Sequence, residues 1–419
     1  MTRMTTTSPA LAERVRPHFP ALQRTIRDLP VAYFDGPGGT QVPQSVADAV
    51  SGYLLHTNAN DGWAYRSSIE TTAALDAARA KAAAFLGAAT PEAVLFGANM
   101  TTLTFHIARA FGRSLVPGDE ILVTELDHHA DIDPWRALER DYGAVVKFVP
   151  LLDSKPQLDL QAYERLLSPR TRLVAVGLSS NAFGTINPVA RMASAARAHG
   201  ALVFVDAVHA AAHGVLDVGA LGADMLAFSA YKVYGPHVGV AYVREDLLER
   251  LDFPKLAPQR ATGHKRGESG TLHHEGIVGT AAALDFLAGL SDGAAEDPRG
   301  RLAATMHRAA SEEDAVFRGL LEGLRALPHV TLYEPPAGVP RHPTISFSIA
   351  GWDAAEVSQR LSDEHALFVS HGDFYATTAV GKIAPETLAH SGVVRAGVGL
   401  YSTAAEAARL VAALDSLAR

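Results

Sequence analysis

Cysteine is absent from the chain of 419 residues, and its absence excludes disulfide bonds, thiolate metal ligands and a cysteine nucleophile. No run of about 18 apolar residues occurs that would span a membrane as a helix. Residues 1–30 also lack the basic and apolar segments of a secretion signal. Basic residues are fewer than acidic ones, with 37 Lys and Arg against 45 Asp and Glu, for a net charge of −8. We therefore expect a cytoplasmic enzyme that binds neither nucleic acid nor a membrane.

Apolar residues make up 48% of the chain, an ordinary share for a folded protein. From Glu92 onward, short apolar strands alternate with turns and helices, which is typical of a mostly parallel sheet covered by helices. The predicted strands are residues 93–96, 120–124, 144–151, 172–178, 201–206, 225–228 and 238–243. The sequence therefore predicts an α/β protein.

The repeating pattern is interrupted by a long helical stretch over residues 301–327. Strands and helices after it form a different, mixed pattern that is typical of a small α+β unit. We therefore predict a large domain over residues 31–295 and a small C-terminal α+β domain over residues 296–419. Residues 1–30 are expected to form an N-terminal arm that contributes to the small domain.

Polar side chains follow the carboxyl ends of the predicted strands, where ligands bind in open α/β sheets. Thr101 and Thr102 at a helix start suit a phosphate, although the same pair could simply cap the helix. Asp206 ends an apolar strand. A buried carboxylate there needs a cationic or hydrogen-bonded partner. The alternative is that Asp206 caps the next turn. Lys232 follows another strand; a lysine desolvated in a cleft can form a Schiff base, whereas most lysines are solvated.

Together these groups fit one ligand, pyridoxal 5′-phosphate. Its phosphate suits the helix start, its ring nitrogen suits the acid and its aldehyde suits the lysine. With Asp206 keeping the ring nitrogen protonated, the ring would act as an electron sink for a substrate carbanion. The alternative is a metal site at His128, His129 and Asp131, but adjacent side chains at a strand end diverge, so we predict no metal.

Several motifs occur in order along nearly the whole chain. The most specific are residues 203–210 (VFVDAVHA) and residues 229–232 (SAYK). Further motifs are residues 33–40, 100–102, 125–130, 180–188, 270–271 and 393–398. With these motifs the sequence resembles the class V aminotransferase family of fold type I pyridoxal-phosphate enzymes. Within that family it is similar to the cysteine desulfurase and selenocysteine lyase branch, specifically to members that lack the catalytic cysteine. The resemblance implies a large domain with a mostly parallel, seven-stranded type of sheet.

The resemblance implies roles for the matching residues. Lys232 would bind the cofactor aldehyde and move the substrate α-proton, Asp206 would pair with the ring nitrogen, and His128 would stack on the ring. Asn181 and His209 would face the phenolic oxygen. The full set implied to bind the cofactor is Thr101, Thr102, His128, Asn181, Asp206, His209, Ser229, Tyr231, Lys232 and Thr271.

The resemblance also implies substrate contacts and a partner. Arg395 would hold the substrate carboxylate with two hydrogen bonds, unless it is an exposed strand arginine. Asn60, His273 and Tyr375 are further candidates for substrate binding. Thr271 is expected to reach the phosphate of a neighbouring subunit, which implies a homodimer with shared active sites.

The sequence departs from the branch at several positions. His209 stands where desulfurases usually have glutamine, Tyr231 where they have histidine, and His273 where they often have asparagine. The largest departure is in residues 370–376 (SHGDFYA), where a desulfurase loop should deliver a thiolate. Because this loop has no thiol, we predict that persulfide-forming desulfuration by that route does not occur.

We therefore predict a pyridoxal-phosphate enzyme that removes the α-proton of a small amino acid. The favoured reaction is β-elimination, as in a carbon–sulfur lyase, with Tyr375 or His371 protonating the leaving group. The alternatives are an aminotransferase or epimerase on the same scaffold and a catalytically silent partner protein. No residue in the sequence specifies elimination over these alternatives.

Overall fold

The structure is a computed structural model that describes residues 10–293 and 297–418. Its strands are β1 Thr25–Ile26, β2 Leu29–Pro30, β3 Ala32–Tyr33, β4 Val94–Gly97, β5 Glu120–Thr124, β6 Val145–Val149, β7 Thr171–Gly177, β8 Leu202–Asp206, β9 Met225–Ser229, β10 Gly239–Val243, β11 Val330–Tyr333, β12 Thr344–Ile349, β13 Leu367–Phe368, β14 Ser370–Gly372 and β15 Val393–Gly397.

The α-helices follow the same chain order. They are α1 Leu11–Val15, α2 Gln44–His56, α3 Arg66–Leu86, α4 Met100–Gly112, α5 Asp133–Tyr142, α6 Leu160–Leu166, α7 Val189–Ala198, α8 Val218–Leu221, α9 Glu245–Arg250, α10 His264–Gly267, α11 His274–Gly289, α12 Pro298–Arg325, α13 Ala354–His365, α14 Thr377–Ile383 and α15 Ala404–Asp415. Within the described ranges, no helix has the length and apolarity needed to span a bilayer.

A seven-stranded sheet lies at the centre, in the order β4-β10-β9-β8-β7-β5-β6. Only β10 runs antiparallel to its neighbours, so the predicted mostly parallel α/β sheet is confirmed. Successive residues of its strands enter different apolar clusters. Leu122 and Val174 pack into one cluster, whereas Ile121 and Leu173 pack into the other. Both faces are covered, which is why these strands are apolar at every position.

A second, antiparallel sheet has the order β11-β12-β15-β14. Apolar side chains of α12, α13 and α15 pack against it in a separate cluster. The chain between the N-terminal helix and the large sheet contributes to both cores, because Val31 and Tyr33 pack into the large cluster whereas Ala32 and Phe34 pack into this one. The α+β character of the C-terminal region matches the predicted pattern, and the exact domain division stays a prediction.

Some boundaries fall outside the described residues. The proposed junction at residues 295 and 296 lies there, as do residues 1–9 of the predicted arm. Within the described ranges, the segment over residues 367–372 passes from one sheet to another. Its first part, β13, pairs in parallel with β3, whereas β14 pairs with β15.

Candidate active site

A cavity of about 1100 Å³ opens at the carboxyl edge of the large sheet. Its walls also come from the turn at Pro37 and Gly38, from β15 and from the loop at residues 371–375. The predicted site residues that line it are Thr101, Thr102, His128, Asn181, Asp206, His209, Ser229, Tyr231, Lys232, Tyr375 and Arg395. The fold therefore brings together residues that are far apart in the sequence.

Lys232 lies in the 3-10 turn Ala230–Lys232 that follows β9, and its side chain is buried. The alternative of a solvated lysine is therefore wrong. Its ammonium group donates a hydrogen bond to the carbonyl oxygen of Pro37. Burial and, to a smaller extent, the nearby Arg395 cation together lower the pKa of Lys232 to about 7, against the opposing effect of Asp206. A substantial neutral fraction near pH 7 makes this amine a nucleophile and a base.

Asp206 ends β8 and pairs in register with Gly177 of β7. Its Oδ1 accepts a hydrogen bond from the Val208 backbone N–H at 2.8 Å. Burial raises the pKa of Asp206 to about 6, while that N–H and the Lys232 cation lower it. An ionised carboxylate in this buried position is suited to pair with a cationic ring nitrogen.

Asp127 is a cavity residue that the sequence did not single out. Its Oδ1 accepts a hydrogen bond from the Gly177 N–H at 3.0 Å, and its buried Oδ2 has no hydrogen-bond partner among the described residues. Burial, together with the negative charge of Asp206, raises the pKa of Asp127 to about 8. Asp127 therefore retains its proton near pH 7 while Asp206 carries the charge. Its position one residue before His128 at a strand end was the available signal.

His128 presents a neutral ring to the cavity. Its Nδ1 accepts a hydrogen bond from the Ala130 N–H at 2.9 Å, so the ring proton is on Nε2. Burial lowers the pKa of His128 to about 4, and the Lys232 cation adds to the shift. The ring centroid of Tyr375 is 5.4 Å away. A flat, uncharged imidazole of this kind is suited to stacking on a planar ligand.

The N-terminus of α4 opens into the cavity. Asn99 is its N-cap, because Asn99 Oδ1 accepts from the Thr102 N–H at 2.9 Å and Thr102 Oγ1 accepts from the Asn99 N–H at 3.3 Å. The alternative that Thr101 and Thr102 cap the helix therefore holds in part, because Thr102 shares a capping box with Asn99. The Met100 N–H donates to Ser229 Oγ at 2.9 Å, which ties the helix start to β9. The end of a 13-residue helix beside these hydroxyls favours an anion.

Tyr231 packs beside the lysine. Its ring stacks on His237 with a centroid distance of 4.9 Å, and Lys232 Nζ lies 5.4 Å from its ring centroid. A Cβ on Gly39 would lie 3.3 Å from Tyr231 Cδ2, so the turn after β3 approaches the ring closely. Tyr231 therefore closes the side of the cavity next to the lysine.

Arg395 brings a buried cation into the cavity from β15, so the alternative of an exposed strand arginine is wrong. Its Nη1 donates to the Asn181 carbonyl at 2.9 Å and its Nε donates to Ser370 Oγ at 3.2 Å. Burial lowers the pKa of Arg395 to about 9, and Asp35 opposes this shift. The guanidinium therefore stays charged near pH 7 and is suited to hold a carboxylate.

The loop over the cavity adopts a strained conformation. Phe374 and Tyr375 both have positive φ, at 57° and 56°. The Asn181 Nδ2 donates to the Phe374 carbonyl at 3.0 Å, and the His129 N–H donates to the Tyr375 carbonyl at 2.7 Å. The Phe374 ring lies 3.8 Å from the Arg395 guanidinium carbon. The loop is thus fixed to the large sheet's side of the cavity and shields the arginine.

Three predicted residues do not line this cavity: Asn60, Thr271 and His273. All three are exposed, and His273 pairs with Glu275 at 3.2 Å. In this single chain they lie on the surface formed near α2, α3 and α11. Their predicted roles toward substrate and toward a neighbouring subunit stay predictions.

The residues present fit pyridoxal phosphate. The cavity offers a buried amine with a lowered pKa, an ionisable acid, a neutral imidazole and a helix N-terminus. The buried Oδ1 of Asn181 has no hydrogen-bond partner among the described residues, which leaves a polar position open to a ligand. The volume is sufficient for a cofactor and a small substrate together.

Comparisons with known proteins agree with this fit. The family model for aminotransferase class-V matches residues 32–410. The chain is 32% identical over 422 residues to a cysteine desulfurase from Dickeya dadantii, with 97% of both chains covered. It is 33% identical over 430 residues to a cysteine desulfurase from Klebsiella pneumoniae, covering 97% of this chain and 98% of that one.

Solved structures lead to the same family. The apo cysteine desulfurase from Thermococcus onnurineus superposes with a TM-score of 0.86 at 28% identity, covering 98% of this chain and 99% of that one. A cysteine desulfurase from Escherichia coli superposes with a TM-score of 0.83 at 26% identity, covering 97% and 98%. The resemblance and the fold type I architecture inferred from the sequence are confirmed. The chain belongs to the class V aminotransferase family and is a pyridoxal-phosphate-dependent enzyme.

Proposed function

We propose that the enzyme removes the α-proton of a small α-amino acid and then eliminates its β-substituent, as a carbon–sulfur lyase does. One observation carries this proposal: Lys232, Asp206 and Arg395 meet in a cavity whose covering loop contains no thiol. These three groups serve any reaction that starts at the α-carbon. Persulfide formation needs a cysteine nucleophile in addition, and this chain has none.

The cofactor would be held by the chain's own groups. The start of α4, Thr101, Thr102 and Ser229 would bind the phosphate, and Tyr231 would flank the lysine. His128 would stack on the ring, while Asn181 and His209 would face the phenolic oxygen. These residues all line the cavity. When bound, the cofactor supplies an aldehyde for the substrate amine and a ring that withdraws electrons from the α-carbon.

Asp206 would hold the ring nitrogen of the cofactor in its protonated state. Its pKa of about 6 means that the carboxylate is ionised near pH 7, and the neighbouring Asp127 with a pKa of about 8 adds no second charge. One negative charge next to one cationic ring nitrogen is a balanced buried pair. This arrangement keeps the electron demand on the α-carbon high.

Arg395 orients the substrate. Its guanidinium would bind the substrate carboxylate, and Phe374 packs against the guanidinium and excludes water from that side. Lys232 then accepts the α-proton, for which a pKa of about 7 is well matched. Positioning by the arginine fixes which bond faces the lysine amine.

Loss of the β-substituent requires a proton for the leaving group. Tyr375 and His371 line the cavity on its open side, and the Tyr375 ring lies next to His128. Either side chain has a proton to donate. Elimination from a cysteine conjugate breaks the carbon–sulfur bond, and addition of water gives a thiol, pyruvate and ammonia.

The test is incubation of the loaded enzyme with S-substituted cysteines. We expect released thiol and pyruvate in equal amounts, and neither product from the Lys232→Ala variant. An aminotransferase is the second candidate, because the matching family model is described by that activity. For an aminotransferase, an amino donor alone would abolish the visible absorption band of the bound cofactor, and a keto acid would restore it. That result without pyruvate release would contradict elimination.

We also propose a homodimer. Exposed apolar side chains gather around α2, α3 and the segment that joins them, near Asn60. They are Leu54, Leu55, Trp63, Tyr65 and Ile69. Several exposed apolar side chains within one short stretch of chain are typical of a subunit interface. Light scattering should give twice the 44.3 kDa chain mass, whereas a monomer would contradict the proposal. A cytoplasmic location, like independence from membranes and nucleic acids, stays a prediction.

A further inference from the structure

A cluster of titratable side chains lies behind one wall of the cavity. It consists of His209, His213, His342 and Glu313, and His209 alone of the four lines the cavity. His209, His213 and Glu313 are buried, and His342 is partly buried. Within residues 10–293 and 297–418, no group of three or more such side chains is arranged to hold a metal ion. The cluster therefore calls for an explanation in terms of protons and hydrogen bonds.

The members form a connected path. Glu313 Oε2 lies 2.8 Å from His213 Nδ1. The His213 ring centroid is 5.2 Å from that of His209 and 5.3 Å from that of His342. His209 Nε2 lies 3.2 Å from Thr344 Oγ1. A carboxyl group on α12 thus contacts one imidazole by a hydrogen bond, and that imidazole packs edge-on against the imidazole that faces the ligand.

Local structure places His209, His213 and Glu313 next to one another. The single 3-10 turn Ala210–Ala212 separates His209 from His213, so the two rings lie on the same side of the turn. Three alanines there leave room for both imidazoles. Glu313 lies in the middle of α12, where a buried carboxyl is unfavourable unless another group requires it. Its Oε1 is buried and has no hydrogen-bond partner among the described residues.

The charges around the pair favour its neutral form. Burial raises the pKa of Glu313 well above its usual value and lowers the pKa of His213 to about 4. Near pH 7 the shared proton therefore belongs to the carboxyl, which donates to His213 Nδ1. The hydroxyls of Tyr234 and Tyr401 are the titratable groups that face Glu313. Neither carries a charge at that pH.

His209 is surrounded by groups that disfavour its protonation. Burial lowers its pKa well below the usual value, and His213, His342, Lys232 and Arg395 lower it further. The ring is therefore neutral and has one N–H and one acceptor nitrogen. Which nitrogen carries the proton decides what His209 offers to a ligand.

We infer that His213 and Glu313 are positioning residues for His209. The His213 ring, held by Glu313, packs edge-on against the His209 ring and keeps it in the orientation in which His209 Nε2 meets Thr344 Oγ1. That hydrogen bond in turn favours one tautomer of His209 where it faces the phenolic oxygen of the cofactor. The part of this inference that concerns the phenolic oxygen rests on the proposed function. The part that concerns His209 itself does not, because the hydrogen bonds and ring contacts belong to the chain alone. A structural role only would stabilise the fold and leave the His209 tautomer unchanged.

The first experiment uses the protein without cofactor and three forms of it: wild type, Glu313→Gln and Glu313→Leu. Nitrogen-15 NMR of the imidazoles reports the tautomer of His209 and its titration. Wild type should show one neutral tautomer throughout about pH 5–8. Glu313→Gln is the matched control, since its amide donates to His213 Nδ1 as the neutral carboxyl does. It should preserve the wild-type tautomer, whereas Glu313→Leu should give a mixture.

The second experiment follows the visible band of bound cofactor against pH. Loss of the link should shift the midpoint in Glu313→Leu by about one pH unit, and Glu313→Gln should keep the wild-type midpoint. If Glu313→Leu does not fold, His213→Gln breaks the same link and is judged by the same two measurements. A folded variant without the link that retains the wild-type tautomer and midpoint would overturn the inference, as would a changed tautomer in Glu313→Gln.

The two experiments separate this inference from the proposed function. Failure of the protein to bind cofactor through Lys232 would remove the second measurement and contradict the assigned cofactor site. The NMR comparison would still support or overturn the positioning of His209. Borohydride reduction followed by peptide mass analysis decides whether Lys232 holds the cofactor.

Discussion

The cavity has two sides that come from different parts of the chain. We call the residues at the carboxyl edge of the large sheet the floor: His128, Asp206, Ser229 and Lys232. We call the residues from β15 and from the loop at residues 371–375 the roof: His371, Phe374, Tyr375 and Arg395. The floor residues end or follow strands of a buried sheet, whereas the roof loop contains two residues with positive φ.

The difference between floor and roof separates two requirements of the enzyme. Holding the cofactor needs fixed geometry, and strand ends in a packed sheet supply it. Choosing the reaction depends on what meets the substrate from the other side, and loops carry such differences most readily. The similarity to cysteine desulfurases covers both sides, yet the roof of this chain has no thiol. Changes in the floor should therefore abolish all reactions, and changes in the roof should alter which reaction occurs.

The largest effect is expected from Lys232→Ala in the floor. Turnover should be abolished because the variant lacks the amine that we propose both attaches the cofactor and accepts the α-proton. The variant should still bind some cofactor through the phosphate contacts, but borohydride should fix none of it. Lys155→Ala, which removes an exposed lysine in a loop, is the matched control and should behave as wild type. Turnover of Lys232→Ala near the wild-type rate would disprove the assigned role of the floor.

The next prediction compares two acidic residues that line the cavity, Asp206 and Asp127. Asp206→Asn should lower kcat by about 10³-fold, because a neutral partner no longer keeps the ring nitrogen protonated. Asp127→Asn should change kcat by less than about tenfold, since Asp127 already carries a proton near pH 7 at a pKa of about 8. Steady-state kinetics of both variants with the same substrate measures the difference. Equal losses in the two variants would show that the acids act as one unit.

A smaller effect is expected in the roof. Arg395→Gln removes the cation for the substrate carboxylate, and loss of charge-assisted hydrogen bonds worth about 2 kcal/mol lowers kcat/KM about 30-fold. Most of the loss should be in KM, because attachment of the cofactor to Lys232 does not need Arg395. Arg395→Lys keeps the charge but cannot form two parallel hydrogen bonds, so its kcat/KM should lie between those of wild type and Arg395→Gln. An unchanged KM in Arg395→Gln would place the substrate carboxylate elsewhere.

General rules of chain folding place the floor residues together, whereas Arg395, Tyr375 and His371 of the roof are indicated only by the resemblance to a family, for a physical reason. Parallel strands place the residues after them at one edge, so Asp206 and Lys232 are brought together by a general rule. No such rule relates residue 374 to residue 395, whose contact depends on a change of sheet between β13 and β14. Asp127 was missed because an acid before a turn has many ordinary roles. The link from Glu313 to His213 spans 100 residues and leaves no periodic signal.

The smallest expected effect is the sharpest test of the roof. Tyr375→Phe keeps the ring beside His128 and removes the hydroxyl, so the strained loop has no reason to change. If Tyr375 protonates the leaving group, elimination should fall about tenfold. Exchange of the substrate α-proton with deuterated water should stay at the wild-type rate, because Lys232 is the proposed base for that step. His371→Gln provides the comparison for the other candidate donor. If exchange and elimination fall in parallel in Tyr375→Phe, the hydroxyl acts before the bond to the leaving group breaks. The distinction between floor and roof would then not hold at this residue.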